Sequence, residues 1–223
     1  MNEKIEPPTM DIQPVVFVGD DDPAVRESVE IALGPLHAPI ECFDSAEAFL
    51  RSWEFDRPGC LVLDIRMPGM SGIELHSKIA PSGDFLSVII VTGHATVAMS
   101  TDAMKRGAFD FLQKPYPPSE LRSSVAAGLQ KSRDGWQQHT KRSEFEAKKS
   151  TLSPRETEVY ALMLGGTETK KIAVALGISP STVEKHRIAV IRKMGAENTV
   201  HLINQKYTAV GDAPVTDDDN KKA

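Results

Sequence analysis

The sequence predicts an α/β fold, a doubly wound five-stranded parallel sheet, followed by a small all-α domain. Three observations carry this. Over residues 14–128 short apolar runs alternate with stretches whose apolar residues fall at helical spacing. The runs do not alternate polar and apolar, which is the pattern of strands buried on both faces. Beyond a polar stretch at 129–150, four further helical segments follow, punctuated by capping residues and glycines.

The elements fall in order. "VVFV" (15–18) is the first strand, and "PAVRESVEIALGPL" (23–36) the helical stretch after it. "IECF" (40–43) is the weakest strand pattern; "SAEAFLRSW" (45–53) is a helix with Ser45 as its cap. "CLVLD" (60–64) and "GIELHSKIA" (72–80) make the next pair, "SVIIVT" (87–92) and "VAMSTDAMKRGA" (97–108) the one after. "FDFLQ" (109–113) is the fifth strand, and Pro117-Pro118 constrains entry to the helix that follows. Residues 129–150, polar and poor in aliphatics, read as a partly helical linker. In 151–210, Ser153, Pro154 and Glu156 form a capping-box helix start. "TETKKIAVALG" ends at Gly177, "ISPSTVEKHRIAVIRKMG" starts at Ser179-Pro180 and has Gly195 past its end, and "TVHLINQKYTAV" closes the domain. Residues 1–13 and the acidic 211–223 read as disordered tails.

With 40% hydrophobic and 26% charged residues, the chain can build two ordinary cores. The net charge of −5 is unevenly spread. Residues 11–128 carry nine Lys/Arg against 17 Asp/Glu, whereas 129–210 carry 14 against eight. An acidic module joined to a basic one points to different partners, with nucleic acid a candidate for the second. No apolar run approaches the roughly 18 residues of a membrane span, and no secretory pattern opens the chain. Cys42 and Cys60 lack metal-ligand spacing, and Cys60 begins an apolar strand as a small buried hydrophobe. These features predict a reduced, cytoplasmic protein.

The strand ends carry the chemistry. The first strand stops at Asp20 and Asp21, the third at Asp64, the fourth at Thr92, and the fifth runs into Lys114-Pro115. In a parallel sheet these ends share one rim, where ligands bind. Carboxylates gathered there repel one another unless a cation lies between them, and Mg²⁺ is the natural one. Lys114 and the Thr92 hydroxyl suit a phosphoryl oxygen, and Asp64 could attack phosphorus. Singly, each residue has a plain explanation, such as Asp20 to Asp22 capping the next helix; the conjunction outweighs them.

In the second domain, Val183, Val190 and Met194 share one face of the third helix, with Ile191 beside them. Lys185, Arg187, Arg192 and Lys193 fall largely on other faces. A short helix, the tight "LGIS" turn and a basic helix have helix-turn-helix geometry, able to enter a DNA major groove. On charge alone, a small bundle kept soluble by its lysines would serve equally.

"VGDDDPAVRESV", "LVLDIRMPGMSGIEL", "VIIVTGHATV" and "GAFDFLQKP" resemble the flavodoxin-like receiver domain of two-component response regulators, over residues 14–128. The resemblance implies that Asp64 is the phosphoacceptor and that Asp20, Asp21, Asp64 and the backbone carbonyl of Arg66 hold Mg²⁺. It makes Thr92 and Lys114 sensors of the phosphoryl group, Phe111 the switch aromatic and Lys114-Pro115 a cis bond. Three features depart from the common pattern: Gly19 before the acidic pair, Ser87 where relatives often have Pro, and Pro117-Pro118.

"LSPRETEV", "KKIAVALGISPSTVEKHR" and "KMGA" resemble the LuxR-type DNA-binding domain over 151–207. This implies that Thr182, Lys185 and His186 lie near base edges or the adjacent backbone, and that Lys170, Lys171, Arg187 and Lys193 contact phosphates. Glu156 and Glu184 read as structural, and His186 equally as a packed histidine. Together the modules resemble the FixJ/NarL class of response regulators, the receiver being closer to FixJ. That implies a signalling protein rather than an enzyme. Its partners would be a histidine kinase, double-stranded DNA, a second copy on phosphorylation, and RNA polymerase as a further candidate. Two other readings stand beside it. An aspartyl-phosphate hydrolase would want a carboxylate at position 66, where Arg stands. A DNA-binding regulator could instead use its receiver as a phosphorylation-independent dimerisation module.

Overall fold

The computed structural model describes residues 12–53, 57–80 and 85–211, in two units divided between Trp136 and Gln137. The tails expected to be disordered fall outside the described residues except for 12, 13 and 211.

The first unit alternates β1 (Val15–Gly19), α1 (Pro23–Leu33), β2 (Ile40–Phe43), α2 (Ala46–Ser52), β3 (Gly59–Asp64), α3 (Gly72–Ile79), β4 (Leu86–Thr92), α4 (Val97–Lys105), β5 (Asp110–Gln113) and α5 (Pro118–Ser150). The five strands are all parallel, in the order β2-β1-β3-β4-β5. β1, β3 and β4 are continuous apolar runs because helices cover both faces. Phe17, Leu61, Leu63 and Ile90 pack on one face with Phe49 of α2 and Leu75 of α3. Val16, Val18, Val62 and Ile89 pack on the other with Leu33 of α1 and Leu121 of α5.

Local chemistry sets the element ends. Ser45 caps α2 by accepting the amide of Ala48, as expected. The stretch predicted as helical over 23–36 instead leaves the α-helix after Leu33 and makes a 3-10 turn over Gly34–Leu36. Pro35 has no N–H to continue the ladder. α4 stops before Gly107, whose φ of +90° favours glycine.

α5 runs unbroken through the polar stretch 129–150. It contains no proline after its first residue, and its charged and amide side chains are good helix formers. Leu121, Ser124, Val125, Gly128 and Ser132 form one buried stripe at helical spacing. Gly128 permits a close approach, since a Cβ there would lie 2.9 Å from the Cys60 sulfur. Ser87 donates to the Gly128 carbonyl at 2.9 Å, a bond that proline at 87 could not make.

The second unit takes the end of α5 with α6 (Pro154–Leu164), α7 (Thr169–Leu176), α8 (Pro180–Met194) and α9 (Thr199–Val210). Ser153 and Glu156 form the capping box of α6. Val159, Met163, Ile172, Val183, Val190, Met194 and Leu202 are fully buried together, with Phe145 from α5. Gly177 adopts φ +64° between α7 and α8, and the Arg155 guanidinium binds the Leu176 carbonyl at 2.5 Å.

Candidate functional site

The three consecutive carboxylates after β1 take three different positions. Asp20 is 4% exposed and faces the end of the sheet. Asp22 caps α1, accepting the Ala24 amide at 2.9 Å, while its own amide donates to Asp20 Oδ1 at 3.0 Å. Asp21 is exposed. Arg26 pins this turn, its Nη1 donating to the carbonyls of Asp20 at 2.7 Å and Asp21 at 3.1 Å.

Asp64 ends β3 and is also buried, at 7% exposure. The Lys114 ammonium lies between the two buried carboxylates, 2.6 Å from Asp20 Oδ2 and 2.7 Å from Asp64 Oδ1. The Arg66 amide donates to Asp64 Oδ2. Burial by itself lowers the pKa of Lys114, but its hydrogen bonds to the two carboxylates outweigh that and hold it above the ordinary range. Thr92 is buried one residue beyond the register partner of Asp64, and its carbonyl accepts the Lys114 amide at 2.8 Å. Its hydroxyl accepts the His94 amide. Phe111, on β5, is half-buried against the core of the first face, and the Lys114-Pro115 bond is cis.

The structure therefore brings Asp20, Asp64, Lys114 and Thr92 to one rim, with Asp21 exposed next to Asp20 in the chain. Among the described residues no three acidic, histidine or cysteine side chains are gathered as a metal cluster. The ammonium neutralises the buried pair, and Asp21 is solvated. The donors themselves, buried carboxylate oxygens, fit the hard Mg²⁺ ion.

In the second unit, the exposed residues of α8 form one face, with Ser181, Glu184, Lys185, Ile188 and Arg192 at helical spacing. Lys185, Lys170 and Lys171 are exposed. Thr182, His186 and Arg187 are half-buried. The Thr182 hydroxyl pairs with Ser179 at 2.8 Å in the helix cap, and Arg187 donates to Thr199 at 3.2 Å. Thr169 donates to Glu184 at 2.5 Å, tying α7 to α8.

Lys193, expected at a phosphate, has its ammonium 2.6 Å from Glu156 and 3.0 Å from the Thr151 carbonyl, so it also closes the start of α6. The Lys193 hydrogen bond, with the Ser153 amide, holds the Glu156 carboxyl down to about 2. Sequence reasoning passed over Ile188, which is 67% exposed in the middle of the polar face of α8. Its spacing of three from Lys185 on a basic helix was the available signal.

Comparison with known proteins places both units. Residues 16–126 match the family "Response regulator receiver domain", and residues 150–205 match "Bacterial regulatory proteins, luxR family". The chain is 41% identical over 203 residues to the transcriptional regulatory protein FixJ of Azorhizobium caulinodans, covering 91% of this chain and 95% of that one. It is 36% identical to the transcriptional regulatory protein TdiR of Thauera aromatica, covering 85% and 83%. Among solved structures, the response regulator StyR superposes with a TM-score of 0.79 at 36% identity, covering 87% of this chain and 98% of StyR. Full-length FixJ from B. japonicum gives a TM-score of 0.52 at 32% identity, covering 89% and 98%. The receiver implies a histidine kinase as partner and the second unit implies DNA. No helix among the described residues is long and apolar enough to cross a membrane. A buried Asp–Lys–Asp site on a five-stranded parallel sheet, a basic helix-turn-helix and these matches make the chain a transcriptional regulator of the FixJ-like response regulators, a family of DNA-binding proteins rather than enzymes.

Proposed function

We propose that this regulator is switched by transfer of a phosphoryl group to Asp64. The observation that carries the reading is the Asp64 carboxylate, buried at a strand end with the Lys114 ammonium 2.7 Å away. A phosphohistidine of the kinase would lose its N–P bond as an Asp64 oxygen forms the new O–P bond, the imidazole leaving with the electron pair. Lys114 would follow the charge from carboxylate to phosphoryl oxygens. Thr92, at the end of β4, can donate its hydroxyl proton to the same oxygens while its oxygen accepts the His94 amide. Mg²⁺ would be held by Asp20, Asp21, Asp64 and the Arg66 carbonyl, and supplies charge neutralisation at the phosphoryl group when bound.

An inward shift of Thr92 leaves room for Phe111, which is half-buried on the neighbouring strand, to rotate. That changes the surface around β4, α4 and β5 and favours a homodimer, whose two α8 helices meet half-sites about one helical turn apart. Lys170, Lys171 and Arg187 would contact phosphates, and Thr182, Lys185 and His186 would face base edges or adjacent backbone. Ile188 adds an apolar contact suited to a thymine methyl.

Sedimentation velocity in Mg²⁺, with and without beryllofluoride, tests the switch. A monomer-to-dimer shift that Asp64→Asn abolishes supports it. DNA binding and association that ignore both beryllofluoride and Asp64→Asn would mean that the receiver is a phosphorylation-independent dimerisation module.

A further inference from the structure

At the opening ends of β4 and β5, away from Asp64, the first unit holds a polar cavity of about 190 Å³. Ser87 and Thr92 are separated by five residues of β4, which puts roughly 16 Å between this cavity and the acceptor rim. Its walls come from α3, the start of β4, the turn between α4 and β5, and α5. Three basic side chains line it, His76, Arg106 and Lys131, and no carboxylate does among the described residues.

The arrangement of these groups is unusual for side chains that only solvate a surface. His76 is 2% exposed and lines the cavity from α3. Arg106 is fixed by Asp102, which accepts from Nε at 2.7 Å, and by Ser77, which accepts from Nη1 at 3.3 Å. Its second terminal nitrogen makes no hydrogen bond among the described residues. Lys131 stands over the Phe109 ring, 5.6 Å from its centroid, and no carboxylate pairs with it among the described residues. A basic residue at the end of α4 complements the helix dipole, which accounts for Arg106. It does not account for Lys131, which comes from the middle of α5, or for the buried His76.

We propose that this cavity binds a small phosphate-type oxyanion, either inorganic phosphate or the phosphoryl group of a small organic phosphate. A guanidinium, an ammonium and an imidazole line the same cavity, and charge-assisted bonds from such groups are the strong ones for oxyanions. At about 30 Å³ per water, the volume holds about six waters, enough for a phosphoryl group with a short carbon chain. Occupancy joins α3, the α4–β5 turn and α5 through one ligand. The site stands independently of phosphotransfer at Asp64.

The test is a titration of the full-length Asp64→Asn chain without Mg²⁺, followed by amide NMR. Inorganic phosphate and glycerol 3-phosphate are compared with sodium chloride at matched ionic strength. The expected result is saturable shifts at Gly107, Lys131 and the His76 ring, weakened about tenfold or more in Lys131→Gln and Arg106→Gln, both at exposed positions. Tighter binding of glycerol 3-phosphate identifies an organic phosphate as the ligand, and equal or weaker binding identifies free phosphate. Shifts that chloride reproduces, that cluster at Thr92 and Lys114, or that persist unchanged in both variants would overturn the site.

Discussion

The Lys114 ammonium lies 2.7 Å from the Asp64 carboxylate, although 50 residues of chain separate the two. It holds Asp20 at the same time, so a single cation makes two buried carboxylates compatible. Replacing it exposes what it does. In Mg²⁺-free buffer, Lys114→Gln should destabilise the receiver by about 2 kcal/mol, less than for a fully buried pair because Lys114 keeps part of its side chain in water. Unchanged stability in urea denaturation would show that the lysine is not what balances the pair.

The same pairing sets an alkaline limit. The folded pKa of Lys114 is raised above its ordinary value of 10.5, so its contribution is complete below that value. It is lost as pH rises through the raised value. Denaturant midpoints measured on the alkaline side should fall for the natural chain and stay flatter for Lys114→Gln.

Glu156 works in the opposite direction. Its carboxyl is held from 4.5 down to about 2 by Lys193 and the Ser153 amide. Its contribution is therefore present above 4.5 and lost as pH falls towards 2. Thermal unfolding of the second unit, followed by calorimetry of the full chain, should decline over that acid window. Glu156→Gln should flatten the decline, and Ser153→Ala should lower stability by about 1 kcal/mol at neutral pH. An identical acid profile in Glu156→Gln would assign the decline to other carboxylates.

Ser132 fastens α5 to the sheet. Its fully buried hydroxyl accepts the Gly59 amide at 2.7 Å and donates to the Phe85 carbonyl. Ser132→Ala removes both of these bonds while the Gly59 amide keeps the Phe85 carbonyl at 3.0 Å, and urea denaturation should show a loss of about 1 kcal/mol. A loss no greater than that of an exposed control such as Ser123→Ala would mean that water replaces the hydroxyl.

DNA binding separates charge from readout. Lys171→Ala should weaken binding to all sequences and reduce the salt slope of log K by about 1. Ile188→Ala should weaken only the specific site, by about 1 kcal/mol. That loss should vanish when the contacted thymine is replaced by uracil. Uniform weakening by Ile188→Ala across unrelated duplexes would remove it from sequence readout.

The five strands, their parallel arrangement and the residues at their ends were legible in the sequence. Apolar runs such as "LVLD", the glycines behind helices and capping residues such as Ser45 and Ser153 encode their structure within a few neighbouring positions. The matching chemistry of Asp64, Thr92 and Lys114 could be read the same way, because parallel strands deliver their ends to one rim. What local pattern left open was decided by tertiary structure. Only packing buries Asp20 while Asp21 stays exposed, sets Lys114 on Asp20 across 94 residues, and pairs Lys193 with Glu156 across 37. It also carries α5 through a stretch too polar to announce its buried stripe, and seals His76 into a cavity with Arg106 and Lys131. Propensity and periodicity are properties of neighbouring residues, whereas burial and ion pairing depend on which distant residues the fold brings together.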